Sequence, residues 1–140
     1  MKILQQVSKT KSIMKKIIVG IFESDKVNRF IYEKTFDRHK DRVEFHVFDN
    51  PEKGLAAAKD MEFDLVFIDL HFWGEDFAGI SILDKLKETS SQEIFAIAMT
   101  SLLQEGDIER TMAAGFGLCL ENPVALNKLE QLSAHLLGVN

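Results

Sequence analysis

The chain has 140 residues, 46% hydrophobic and 28% charged, with a net charge of −5. That size and apolar content suit one globular domain with its own core, and only 8 glycines and 2 prolines exclude collagen-like and low-complexity classes. The single cysteine, Cys119, excludes an internal disulfide and a cysteine-based zinc cluster.

Charge is unevenly placed. Lys2, Lys9, Lys11, Lys15 and Lys16 stand in a stretch without a single acid, and the other 12 of the 17 bases face all 22 acids. A body this acidic argues against a nucleic-acid-binding core, which would draw its affinity from a basic face. No apolar run approaches the ~18–20 residues of a membrane span, and the lysines interrupt any signal-peptide core. The chain is therefore read as a basic extension over residues 1–14 followed by one domain over residues 15–140. The expected address is cytoplasmic, with neither nucleic acid nor membrane as a partner.

From Lys16 onward, five short apolar runs alternate with amphipathic stretches. Ile17–Phe22 is the first, followed by a helical pattern over Lys26–Phe36 that spaces Val27, Phe30 and Ile31 along one side. Val43–Phe48 comes next and alternates in polarity, as an edge strand with one wetter face would. Asn50-Pro51 then opens a second helix, an N-cap followed by proline at the first helical position. Leu65–Ile68, continuing to Leu70, is nearly all branched or aromatic, which suits a strand buried on both faces of a parallel sheet. Ile80–Leu86 repeats at helical spacing, and Ile94–Met99 is a fourth buried run. Gln104–Ala114 is helical and stops at Gly115. Leu118–Leu120 is the last strand, and Val124–Leu137 carries a leucine stripe to Gly138. Five β-α units with right-handed crossovers give an α/β fold, a doubly wound parallel sheet with helices on both faces.

In such sheets, ligands gather at the carboxyl ends of the strands. The first polar residues after each run are Glu23, Ser24 and Asp25, then Asp69, then Thr100, then Glu121 and Asn122. Glu23 and Asp69 converge on one edge, and two close carboxylates raise each other's proton affinity unless a cation lies between them. Oxygen ligands of this kind suit Mg²⁺. Asp69 is also placed to attack phosphorus, and Thr100 to hydrogen-bond a phosphoryl oxygen. The plainer alternative is that these acids cap the following helices, as Ser24 or Asp25 could do for the first. The four histidines show no metal-ligand spacing, and His71 is read as a surface loop residue, the alternative being that it biases proton transfer or phosphate lifetime beside Asp69. Cys119 is read as a small buried apolar side chain. No glycine-rich phosphate cradle follows the first strand, and no nucleophile-elbow motif is present.

Four stretches together resemble the receiver domain of bacterial two-component response regulators, of the chemotaxis-regulator type. They are Glu23 to Arg29, Phe63 to Leu70, Ala96 to Ser101, and Ala113 to Gly115 running on to Asn122-Pro123-Val124. The resemblance spans about Lys15 to Leu137 and implies a (βα)5 sandwich with strand order 2-1-3-4-5. It implies Asp69 as phosphoacceptor, Thr100 as the hydroxyl that binds the phosphoryl group, and Mg²⁺ held by Glu23, Ser24, Asp69 and the backbone carbonyl of His71. It implies a cis Asn122–Pro123 bond as well. Asn122 stands where the family has a lysine, Ser24 where it has a second acid, and Cys119 where it has a rotating aromatic. A neutral hydrogen bond contributes ~0.5–1.5 kcal/mol against ~1.5–3 for one to a charged group, so Asn122 weakens phosphoryl binding without forbidding it.

Phe72-Trp73, after Asp69, is either a partner hot spot or a cover for its own loop. The implied function is a single-domain response regulator, a signalling protein and not an enzyme. It takes a phosphoryl group from a histidine kinase or phosphotransfer protein and acts by contact with a downstream protein target. A homodimer is compatible with this. The alternative is a degenerate receiver that binds partners independently of phosphorylation.

Overall fold

The computed structural model describes residues 16–89, 94–101, 104–125, 127–128 and 131–132. The basic extension over residues 1–14 and most of the predicted last helix lie outside the described residues. Residues 127–128 and 131–132, within that helix, are helical.

The five strands are β1 (Ile17–Phe22), β2 (Val43–Phe48), β3 (Leu65–Asp69), β4 (Phe95–Thr100) and β5 (Leu118–Glu121). They form one sheet in the order β2-β1-β3-β4-β5, with every neighbouring pair parallel. The expected strand order is the observed one. Four well-described helices connect them: α1 (Lys26–Asp37), α2 (Pro51–Asp60), α3 (Ala78–Thr89) and α4 (Asp107–Ala113).

Alternation along the strands divides the core in two. Val19, Ile21, Leu65, Phe67, Ile97 and Met99 point to one face, where they pack on Tyr32 and Phe36 of α1 and on Val124 and Leu132. Phe22, Val66, Ile68, Ala96 and Ala98 point to the other, against Ala58 of α2 and Ile82, Leu83 and Leu86 of α3. Both faces of β3 are therefore sealed, which is why that strand has no polar residue before Asp69. β2, at the edge, is only partly buried beyond Val43.

The caps follow from local chemistry. Asp25 accepts from Asn28 N at 2.9 Å and opens α1. Asn50 accepts from Glu52 N at 2.8 Å and opens α2, with Pro51 in its first turn. The fourth helix is shorter than its sequence pattern predicts, starting at Asp107 instead of Gln104. Gly106 takes φ +89, outside the helical region, and the Asp107 carboxylate turns back to accept from Gln104 N at 2.9 Å.

Candidate functional site

A parallel sheet sends all its strands out at the same edge, and register decides what meets there. Phe22 pairs with Ile68, so Glu23 and Asp69 leave β1 and β3 side by side. Asp69 pairs with Met99, which puts Thr100 next in line, and Thr100 pairs with Glu121, one residue before Asn122. Glu23 and Thr100 are 0% exposed, Asp69 and Asn122 7%. Four polar side chains shut away from water must find partners in one another and in the backbone.

Glu23 is the centre of this network. Its Oε2 accepts from Asp25 N at 2.9 Å and its Oε1 from Asn122 Nδ2 at 2.8 Å. Burial still dominates and, with the charge of Asp69 alongside, pushes the Glu23 carboxyl up to about 7. Burial raises Asp69 as well, opposed by the 3.0 Å hydrogen bond that His71 N donates to its Oδ1. The Ser24 side chain also opposes the rise at Asp69, and its Oγ accepts from Trp73 N at 3.0 Å, which ties the loop after β1 to the loop after β3. Arg29 braces the first of these loops by donating to the carbonyls of Glu23 and Ser24 at 3.2 and 2.7 Å. Capping accounts for Asp25 but not for Glu23.

Asn122 precedes a cis peptide bond to Pro123. Its carboxamide is oriented by Tyr32 of α1, whose hydroxyl donates to Oδ1 and accepts from Val124 N at 3.3 Å. Asn28 Nδ2 approaches the same oxygen at 3.4 Å. The amide N–H is thereby directed at Glu23 and not at Asp69.

His71 differs from the surface loop residue that its sequence position suggests. Its side chain is 22% exposed and its Nε2 lies 3.0 Å from Thr100 Oγ1. The backbone carbonyl of His71 accepts from Gly74 N at 2.8 Å in the 3-10 turn Phe72–Gly74. In that turn Phe72 is buried, whereas Trp73 is 55% exposed with φ 57. One aromatic thus covers the loop and the other faces outward. Cys119 is half-buried, less enclosed than expected, and burial raises its thiol pKa.

The donor set fits a hard divalent cation. Two carboxyls from adjacent strands share a water-poor edge with their proton affinities raised, the electrostatic state a cation between them would relieve. Among the described residues no group of three or more His, Cys, Asp or Glu side chains could hold a metal. A cation here would therefore rest on Glu23, Asp69, a backbone carbonyl and water.

The family model for the response regulator receiver domain matches residues 19–134. The two-component response regulator ARR22 of Arabidopsis thaliana is 33% identical over 137 residues, covering 91% of each chain. The chain is a response regulator receiver domain. A signal receiver domain of a DNA-binding response regulator from Colwellia psychrerythraea superposes with TM-score 0.75 at 25% identity, over 88% of this chain and 99% of that one. The receiver domain of the Saccharomyces cerevisiae response regulator Ssk1, solved with the histidine phosphotransfer protein Ypd1, superposes with TM-score 0.70 at 22% identity, over 89% and 90% of the two chains.

In this receiver the strand ends bring Glu23, Ser24, Asp69, Thr100 and Asn122 to one edge, as the sequence leads one to expect. Sequence reasoning missed Tyr32 and Asn28, and ranked a surface loop position for His71 above a role beside Asp69. Tyr32 left a trace, since the chain's one tyrosine sits where its hydroxyl needs a partner inside an otherwise apolar helix face. For Asn28 and for the contact of the His71 ring with Thr100, the distances that matter run between separate elements, and the sequence marks only that His71 stands near Asp69.

Proposed function

We propose that this receiver accepts a phosphoryl group on Asp69 and signals through the contacts that the modified edge makes with a partner protein. The observation that carries this is the buried pair of Glu23 and Asp69 with raised proton affinity, one strand from the hydroxyl of Thr100. In the transfer, an Asp69 carboxylate oxygen attacks phosphorus in a donor's phosphohistidine. The P–N bond breaks as the O–P bond forms, and the departing imidazole keeps the electron pair and takes a proton from water. Glu23, Asp69 and the backbone carbonyl of His71 would hold Mg²⁺, which would supply positive charge to the phosphoryl oxygens. Ser24 ties the loop after β1 to Trp73 beside Asp69, and Thr100 is the hydroxyl donor to a phosphoryl oxygen. The donor is a histidine kinase or phosphotransfer protein. Ssk1, which shares the fold, forms a complex with such a phosphotransfer protein.

A second reading, a module that binds its partner without phosphorylation, is favoured by Asn122. Its amide serves Glu23 at 2.8 Å instead of the phosphoryl position. One experiment separates the two. After incubation with Mg²⁺ and acetyl phosphate, intact mass spectrometry should show one phosphoryl adduct on the wild type and none on Asp69→Asn or Asp69→Ala. An unmodified wild type, or an adduct that survives in the Asp69 variants, sinks the phosphoacceptor reading and leaves the second.

A further inference from the structure

At the open edge of the sheet, α1 and β2 leave a groove of about 400 Å³ lined by Phe30, Glu33, Lys34, Asp37, Phe45 and Val47. β2 ends the strand order and has a neighbour on one side only. Phe45 and Val47 pack toward the α1 side of the core, and the Phe45 ring meets Phe36 with centroids 6.1 Å apart. Both stay partly exposed, because no described strand lies beyond them. On the helix, Phe30, Glu33, Lys34 and Asp37 stand at the spacing of a single stripe, and Phe30 is 58% exposed. Val27 extends that stripe and is 67% exposed. A bare sheet edge invites pairing with other chains, and native proteins cover it.

The groove has a polarity. Two parallel strands joined by a helix require the helix to run back against them, so the Asp37 end of α1 lies where the strands begin. The stripe therefore runs from the acids Asp37 and Glu33 to the apolar Phe30 and Val27, with Lys34 lying 5.4 Å from the Phe30 ring centroid. The chain enters the sheet at the acidic end, where Ile17 pairs with Val43 and its N donates to Arg42 O at 3.1 Å. Residues 1–15, outside the described residues, carry a matching order in their sequence. Three of their four lysines, Lys15, Lys11 and Lys9, fall in the half nearer this entry, and Val7, Leu4 and Ile3 in the farther half. All 22 acids of the chain lie after them. Length is no obstacle. From Asp37 to Phe30 a helix rises ~10 Å, whereas 15 residues span ~50 Å extended and ~22 Å as a helix.

We propose that residues 1–15 fold back on their own domain as an arm that fills this groove. Ile3, Leu4 and Val7 pack against Phe30, Phe45 and Val47, and the lysines meet Glu33 and Asp37. Opposite charge sets the direction of the arm, and burial of apolar surface holds it there. The arm closes the one edge of the sheet next to its own entry and shields Phe30 from other chains. None of this depends on Asp69 accepting a phosphoryl group.

Zero-length carbodiimide coupling of the full chain joins an amine to a carboxylate only where the two touch. Peptide mapping of the coupled monomer should find Lys9, Lys11 or Lys15 joined to Glu33 or Asp37. In ¹⁵N spectra, the double variant Leu4→Asp/Val7→Asp should shift the amide resonances of Phe30, Phe45 and Val47. Phe30→Ser, at an exposed position that the core does not need, should in turn shift the resonances of Ile3, Leu4 and Val7. Coupling that leaves Glu33 and Asp37 unjoined to the arm overturns the proposal on the wild type alone. Groove amides that the double variant leaves unmoved overturn it as well. So do products that, in a mixture of ¹⁴N- and ¹⁵N-labelled protein, join only separate chains, since the occupant is then a second copy.

Discussion

Glu23 occupies the most polar demand in the most enclosed place. Fully buried, it keeps two strong hydrogen bonds and still has its carboxyl pushed up to about 7 from an ordinary 4.5. A carboxyl raised in the folded state binds its proton more tightly there than when unfolded, so it favours the fold at low pH. That contribution is complete below about pH 4.5 and is lost as pH rises through about 7. In chelator, wild-type stability measured by urea unfolding should therefore fall between pH 5 and pH 8. Glu23→Gln should match the wild type near pH 5 and exceed it at pH 8, by about 1–3 kcal/mol. A wild type and Glu23→Gln with parallel pH profiles would show that burial does not strain this group. The same enclosure explains Tyr32, whose hydroxyl serves both Asn122 and Val124 N.

At the scale of elements, the junction between β3 and α3 sets the site. Gly79 N donates to Leu70 O at 3.0 Å, drawing the start of α3 against the end of β3. A Cβ on Gly79 would stand 2.7 Å from the Asp69 carbonyl oxygen and 2.9 Å from Leu70 Cα. Both are backbone atoms of a fully buried segment, so neither can swing aside as a flexible side chain would. Gly79→Ala should cost about 1–3 kcal/mol in urea unfolding, the usual penalty of overpacking. It should also lower phosphoryl uptake from acetyl phosphate, because relief requires moving the backbone of Asp69. A variant as stable and as readily modified as the wild type would show that this contact is loose. The same junction carries the departures from expectation, since the 3-10 turn buries Phe72, exposes Trp73 and brings the His71 ring over Thr100.

The whole molecule couples these elements through one sheet. The two carboxyls come from the ends of β1 and β3, Thr100 from β4 and Asn122 from the end of β5, so a cation held by Glu23 and Asp69 would tie β1 to β3 at the edge where four strands end. A ligand that binds only the folded state stabilises it, by about 1.4 kcal/mol at ten times its dissociation constant. For a domain of this size that corresponds to a rise in Tm of about 4–6 °C. Mg²⁺ should produce such a concentration-dependent rise in scanning calorimetry, and Asp69→Asn should abolish it. A Tm indifferent to Mg²⁺ would remove the cation from the mechanism. Among the described residues no helix is long and apolar enough to cross a membrane.

The elements and their order were legible in the sequence because both rest on short-range rules. Ile17–Phe22 and Val43–Phe48 are strands to the residue, and Asp25 and Asn50 cap their helices, since burial periodicity and capping act within a few positions. The rim acids were legible for a related reason, as a parallel sheet delivers every strand end to the same edge. What only the tertiary structure decided is where each polar hydrogen goes. Asn122 turns to Glu23 because Tyr32 of a distant helix holds its oxygen, and His71 meets Thr100 because the turn after Asp69 folds back over β4. Hydrogen bonds depend on fractions of an ångström between residues 29 to 99 positions apart, and no local pattern in the chain encodes such distances.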